Sequence, residues 1–234
     1  MGANINSVYQ KVLAIANKEQ RGYITPQEFN LLADRAQNEI YENYFHKARN
    51  SNAKIKDDDT HTDTLDMIEA KLSPFFKIET NTNIASSIMT LPTDLYKLVA
   101  IVVGTGLATE LNREEALRVT SLTGLGSVLA PTTLRPIFER RSATTVRINP
   151  DPGNGSSCSV SYYKTPTTPN WGYVVVNQKA LYNSSASTDF ELVESEEEHL
   201  VSKILMLSGV ITKQPDLSQG AMTFLQLKNQ EQNS

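Results

Sequence analysis

The chain has 234 residues, of which 39% are hydrophobic and 21% charged; that is ample for a hydrophobic core in one or two domains and excludes a disordered chain. Its net charge of −4 and pI near 5.5 give no support to a general binder of nucleic acid or of membranes. A single cysteine, Cys158, excludes an internal disulfide and any multi-cysteine zinc site, and fits a reducing compartment.

The opening "MGANINSVYQKV" has no long apolar core, so no secretory signal is expected there, and Asn6 stands where a myristoylation signal has Ser or Thr. A first helix is predicted from about Asn4 to Lys18, with Ile5, Val8, Val12 and Ile15 on one face. Gly22 marks a turn. Thr25 then reads as an N-cap, Pro26 as the first helical residue, and Glu28 as the partner that closes a capping box. The helix so opened carries Phe29, Leu32, Ala36, Ile40 and Tyr44 in one stripe and is expected to run to about Arg49. The short connection makes the two helices antiparallel neighbours. Residues 50–63 are polar and read as a flexible loop. A short helix from about Asp63 to Leu72 stops before Pro74.

The middle of the chain changes period. "PFFKIET" alternates Phe76, Ile78 and Thr80, and "LVAIVV" reads as a buried strand; at six residues it is the longest apolar run, too short to span a membrane. A helix is predicted from Asn112 to Leu122. "TTVRINP" alternates Val146 and Ile148, and "CSVSYYK" alternates Cys158, Val160 and Tyr162. The Gly/Pro/Asn stretch between them suggests a hairpin. "GYVVV" adds a further strand. Nearby, the sequon Asn183-Ser184-Ser185 is taken as incidental.

The chain then returns to helix. Ser195 and Glu198 have the spacing of a second capping box, with Glu194, Glu196 and Glu197 around them at the positive end of the helix dipole. Leu200, Ile204, Leu207 and Ile211 form a stripe that Val201 and Leu205 widen, and Pro215 ends it. A last helix is predicted from about Leu217 to Asn229 with Ala221 and Phe224 or Leu225 inward, before a polar tail. The tail and the 50–63 loop have too few apolar groups to order themselves and are expected to be held by other chains. The fold expected is α+β: N-terminal and C-terminal helices forming a helical bundle (1–74 and 191–234) with a central antiparallel β-domain (75–190).

Chemistry is sparse. "GTGLAT" at 104–109 lacks the third glycine and the acidic partner of a dinucleotide fingerprint, "GLGSV" at 124–128 reads as a loop, and no phosphate-loop motif occurs. His46, His61 and His199 have no metal-ligand spacing, and "DDDTHTD" at 57–63 lacks the glycine and distal glutamate of a calcium loop. Cys158 reads as a buried strand thiol, and Glu196 to Glu198 as cap acids. Catalytic, cofactor and metal sites are therefore all expected to be absent. The candidate interaction surface is the basic stretch "LRPIFERRSATTVR", with Arg135, Arg140, Arg141 and Arg147 against one Glu139.

Taken together, "YITPQEFNLLADRAQNEIYENYF", "LPTDLYKL", "SVSYYKTPTTP" and "DFELVESEEEHLVSKILMLSGVITKQPDLSQGA" resemble the head-to-tail connector (adaptor or ring) proteins of short-tailed, crAss-like bacteriophages, over nearly the whole chain. The resemblance implies a non-enzymatic virion protein, assembled in the host cytoplasm without a membrane. It implies self-association in a ring, usually twelvefold, below the portal protein and beside neighbouring tail or ring proteins. Genomic DNA would pass through the channel without specific binding. The alternative is a nucleic-acid-binding accessory phage protein that uses the Arg135–Arg147 stretch.

Overall fold

The computed structural model describes residues 2–18, 24–54, 60–81, 84–122, 127–153, 156–211, 222–223 and 226–227. In chain order the elements are α1 (Ile5–Lys18), α2 (Pro26–Lys54), α3 (Thr60–Leu72), β1 (Phe76–Asn81), β2 (Ile84–Ala85), β3 (Ile88–Thr90), β4 (Leu95–Val103), β5 (Gly106–Glu110), α4 (Arg113–Ser121), β6 (Ile137–Arg140), β7 (Thr145–Asn149), β8 (Cys158–Lys164), β9 (Tyr173–Val176), β10 (Lys179–Tyr182) and α5 (Glu197–Ile211). The fold is mixed α+β. Two compact units form, one from Met1–Pro74 with Pro166–Ser234 and the other from Phe75–Thr165. The border expected at 190 thus falls at Thr165, and residues 166–190 belong with the helices. Among the described residues no helix is long and apolar enough to cross a membrane.

In the helical unit, α2 packs against α3 and α5, and α1 against α5. On α1, Ile5, Val8 and Val12 are fully buried, but the fourth expected position, Ile15, is exposed and Ala16 turns inward in its place. Tyr9 meets the rings of Phe29 and Trp171 at 4.8 and 4.1 Å. On α2 the stripe of Phe29, Leu32, Ala36, Ile40 and Tyr44 is buried. α2 runs through Lys54 and α3 starts at Thr60, so helix occupies most of the expected 50–63 loop. No Gly or Pro occurs between His46 and Ser73, so neither strong helix breaker opposes the end of α2 or the start of α3.

Two side chains of α2 stand in for a sheet partner. Asn30 accepts from the Trp171 amide at 2.8 Å and donates to Asn170 Oδ1 at 2.9 Å. Two turns on, fully buried Gln37 donates to the Thr167 carbonyl at 2.9 Å and accepts from the Glu191 amide at 3.1 Å. An irregular segment that could not be buried with bare backbone groups is thereby satisfied. The opposite edge of that segment closes on the N-terminal residues. The Ala3 amide donates to Leu192 O at 2.9 Å, and the Phe190 amide to Ala3 O at 3.2 Å. A β-carbon on Gly2 would sit 2.1 Å from the Phe190 carbonyl oxygen, so only glycine fits this approach. Asp189 Oδ1 takes the Ile5 amide at 2.9 Å and Asn4 Oδ1 the Ser7 amide at 3.0 Å, which satisfies two orphan donors of α1.

The second unit is a curled eight-stranded sheet in the order β1-β8-β4-β5-β6-β7-β3-β2. Its pairings are antiparallel except β5–β6, which is parallel (Thr109 opposite Ile137). That departs from the wholly antiparallel plan, because α4 carries the chain across as a crossover. Asn112 caps α4, accepting from the Glu115 amide at 2.9 Å. The core gathers Met89, Ile101, Phe138, Val146, Ile148, Cys158, Val160 and Tyr162. The expected β7–β8 hairpin does not form: β7 lies between β6 and β3, and β8 between β1 and β4. Both alternations point inward as read, but alternation specifies a face, not a partner. "LVAIVV" is not doubly buried either. Within it only Ile101 is buried, and Val99 faces out. Phe76 and Ile78 of β1 likewise lie on the outer face, 39% and 66% exposed.

Candidate functional site

The helix starts show how local chemistry and tertiary demand compete. The Thr25 amide donates to Glu28 Oε2 at 2.9 Å and the Glu28 amide to Thr25 Oγ1 at 3.3 Å, the reciprocal geometry of a capping box. These bonds from the Thr25 amide and hydroxyl hold the Glu28 carboxyl below the usual range. Ser195, with the same spacing to Glu198, is not an N-cap. It lies inside a 3-10 turn, Glu194–Glu196, whose cap is Val193 with no side-chain hydrogen bond, and α5 starts at Glu197. Tertiary partners claim the neighbouring acids instead. Glu197 accepts from the Ser7 hydroxyl and pairs with Lys11 at 3.2 Å.

Glu196 is drawn inward. Its side chain is 2% exposed, with Lys71 Nζ 2.8 Å from Oε1 and His199 Nδ1 2.8 Å from Oε2. Burial alone would raise its pKa, but the bonds from His199 and Lys71 outweigh that and hold it at about 2. The Lys71 ammonium also stands 5.8 Å from the ring centre of Tyr44. The Tyr44 hydroxyl is buried without a hydrogen bond of ordinary geometry. Burial first, and then the Glu196 carboxylate, raise its pKa far above the tyrosine range. This cluster ties α2, α3, the 3-10 turn and α5 with one desolvated charge network. Removing one partner would strand another in a dry site.

Beside it, a cleft of about 350 Å³ is lined by Glu39, Ile40, Asn43, His46, His199 and Lys203. Glu39 is held there by Lys203 at 2.6 Å and Arg35 at 2.9 Å. His46 and His199 thus border one cleft, which their sequence positions did not suggest. Among the described residues, no three His, Cys, Asp or Glu side chains are placed to hold a metal ion. The side chains of "DDDTHTD", His61 among them, lie outside the described residues, as do Ala221, Phe224, Leu225 and the tail 228–234. Cys158 is buried in β8, and burial raises its thiol pKa.

The four arginines lie in the sheet unit, and Arg135, Arg140 and Arg141 have three different partners. Arg141 Nε is 2.8 Å from Glu139 Oε1, and Arg147 is directly opposite Glu139 in the β6–β7 register. Arg140, on the other face of β6, is 3.2 Å from Glu110. Arg135 donates to the Val128 carbonyl at 3.0 Å. Partnered carboxylates leave this stretch less positive charge for phosphate than its sequence suggests.

One surface feature escaped the sequence reading in part. "GYVVV" is one arm of a separate two-stranded sheet; its partner, β10, was missed. Asn177 and Gln178 make the turn with positive φ at both residues (49° and 63°), the geometry of a type I′ hairpin. Gln in place of the usual glycine hid the signal. The hairpin exposes apolar side chains on both faces, Val175 at 67% and Leu181 at 50%.

No protein-family model matches this chain, and no curated protein matches it.

Proposed function

We propose that this chain is a structural ring subunit of a phage head-to-tail connector. It would sit below the portal and line part of the channel through which DNA leaves. In this reading α1, α2, α3 and α5 make a helical bundle that serves as the stiff body of the subunit. The subunit repeats around the channel, with the portal protein and tail or ring proteins as neighbours, and is located in the virion. The observation that carries the reading, beside the resemblance of the sequence, is the apolar surface on ordered β elements. The β9–β10 hairpin and the outer face of β1 expose large hydrophobic side chains. Clustered side chains of this kind on rigid elements mark contact surfaces for other proteins. Each contact made by a ring subunit is repeated around the symmetry axis.

The test is the composition and architecture of purified particles. The chain should be present in them by mass spectrometry, in a copy number matching one ring, and electron microscopy should place it between portal and tail. Purified particles that lack the chain would refute the proposal.

A further inference from the structure

The hairpin and the sheet edge pose matching problems. A two-stranded hairpin by itself is at best marginally stable in water. Among the described residues this one is anchored at its base, where Trp171 meets the rings of Tyr173 and Tyr182, each at 5.8 Å. The Asn183 amide donates to the Gly172 carbonyl at 2.9 Å, which fixes the alternation of the ladder. Residues 174/181 and 176/179 form the hydrogen-bonded pairs, so the backbone groups of Ala180 and Tyr182 point away from the hairpin. That edge is a strand seeking a partner. At the end of the eight-stranded sheet, β1 likewise has no described strand beyond it. The other end, β2, is two residues long, too short to receive the hairpin.

We infer that β10 of one copy pairs antiparallel with the open edge of β1 of a second copy, joining successive subunits by strand addition. The choice of a second copy rests on the ring reading above. It is supported by the match between the two edges. Lys179 is the only charged residue in the hairpin "YVVVNQKALY". In the register that sets Lys179 opposite Glu79, Ala180 faces Ile78 and Tyr182 faces Phe76. Opposite charges meet on one face, and on the other the exposed apolar and aromatic groups of both edges cover each other. β9, the alternative edge of the hairpin, has no charge to set against β1. The interface is heterologous, because each copy offers a hairpin and accepts another on a different surface; such contacts generate rings when the rotation closes.

Full-length chain carrying both Ile78→Cys and Ala180→Cys would be oxidised at the highest soluble concentration. The products would be read on non-reducing gels and by peptide mapping. Directly opposed positions lie about 4.5–5.5 Å apart at Cβ, close enough for a disulfide after small adjustment. The expected result is a ladder of covalent multimers joined 78-to-180, absent from either single variant. Lys179→Glu should abolish the ladder, and adding Glu79→Lys should restore it. Multimers by native mass spectrometry without the 78–180 link would overturn the pairing and leave the ring reading intact. A chain that stays monomeric and unlinked overturns self-docking. A link from residue 180 to a different protein in particles does the same and names that protein as occupant. The connector reading fails separately, by absence of the chain from particles.

Discussion

Replacing Glu196 with Gln should lower the stability of the helical unit by about 3 kcal/mol at neutral pH. The magnitude comes from the site. A carboxyl that titrates near 4.5 when unperturbed and at about 2 in the fold is linked to roughly 3 kcal/mol, at about 1.4 kcal/mol per tenfold change in acid constant. The figure agrees with the roughly 3–5 kcal/mol lost when one member of a buried charge pair is removed. The sign is fixed by the direction of the shift. Because the folded value is depressed, the stabilisation is complete above the unfolded value and is lost as pH falls toward the folded one. Wild type and variant should therefore differ fully at neutral pH, by roughly half as much near pH 3, and hardly at all by about pH 1. Urea titrations followed by tryptophan fluorescence would measure this. Trp171 is the only tryptophan and is buried in the helical unit, so its signal reports that unit. A difference that stays constant from neutral pH to about pH 3 would show that the loss reflects packing rather than the ionised pair, and would refute the argument.

Thr25→Ala should cost about 1 kcal/mol by the same titration, through loss of the hydroxyl that caps α2; Ser195→Ala should cost distinctly less, since Ser195 caps nothing. Gly2→Ala should destabilise the helical unit through its clash with Phe190 O, and an unchanged unfolding midpoint would sink the close-approach argument. Gln37→Leu should cost about 1–3 kcal/mol, because it leaves the Thr167 carbonyl and Glu191 amide buried without partners. Cys158 should react slowly with an aromatic disulfide reagent in the native state and rapidly in urea; fast native labelling would contradict its burial in the sheet core.

How far the sequence could be read depended on how local each signal was. Thr25, Pro26 and Glu28 were legible because a capping box is complete within four residues. Ser195 has the same spacing and misled, because Lys71, Ser7 and Lys11 reach its neighbours from distant parts of the chain, while His199, one turn on, holds Glu196 from within α5. The inward faces of β7 and β8 followed from alternation, while their partners depended on the crossover through α4 and could not. Gln37 gave no sign of its task. A polar residue on α2 reads as solvent-facing until the segment it serves is known. The arginines were visible as a cluster with Glu139 among them, but Glu110 meets Arg140 only through the pairing of β5 with β6.

The route of the chain through its two units bears on synthesis. Gln37 emerges early, but its partners Thr167 and Glu191 follow the whole of Phe75–Thr165. At ordinary elongation rates about 90 residues occupy roughly 5–20 s. During that interval α1 and α2 exist with α3 but without α5, and the parts of their apolar stripes that α5 covers stay open. The sheet unit is contiguous and can fold as soon as it leaves the ribosome. A nascent chain stalled far enough beyond Thr165 for β8 to have left the ribosome, but with α5 still inside it, should therefore hold a folded β unit and helices that still attract chaperones.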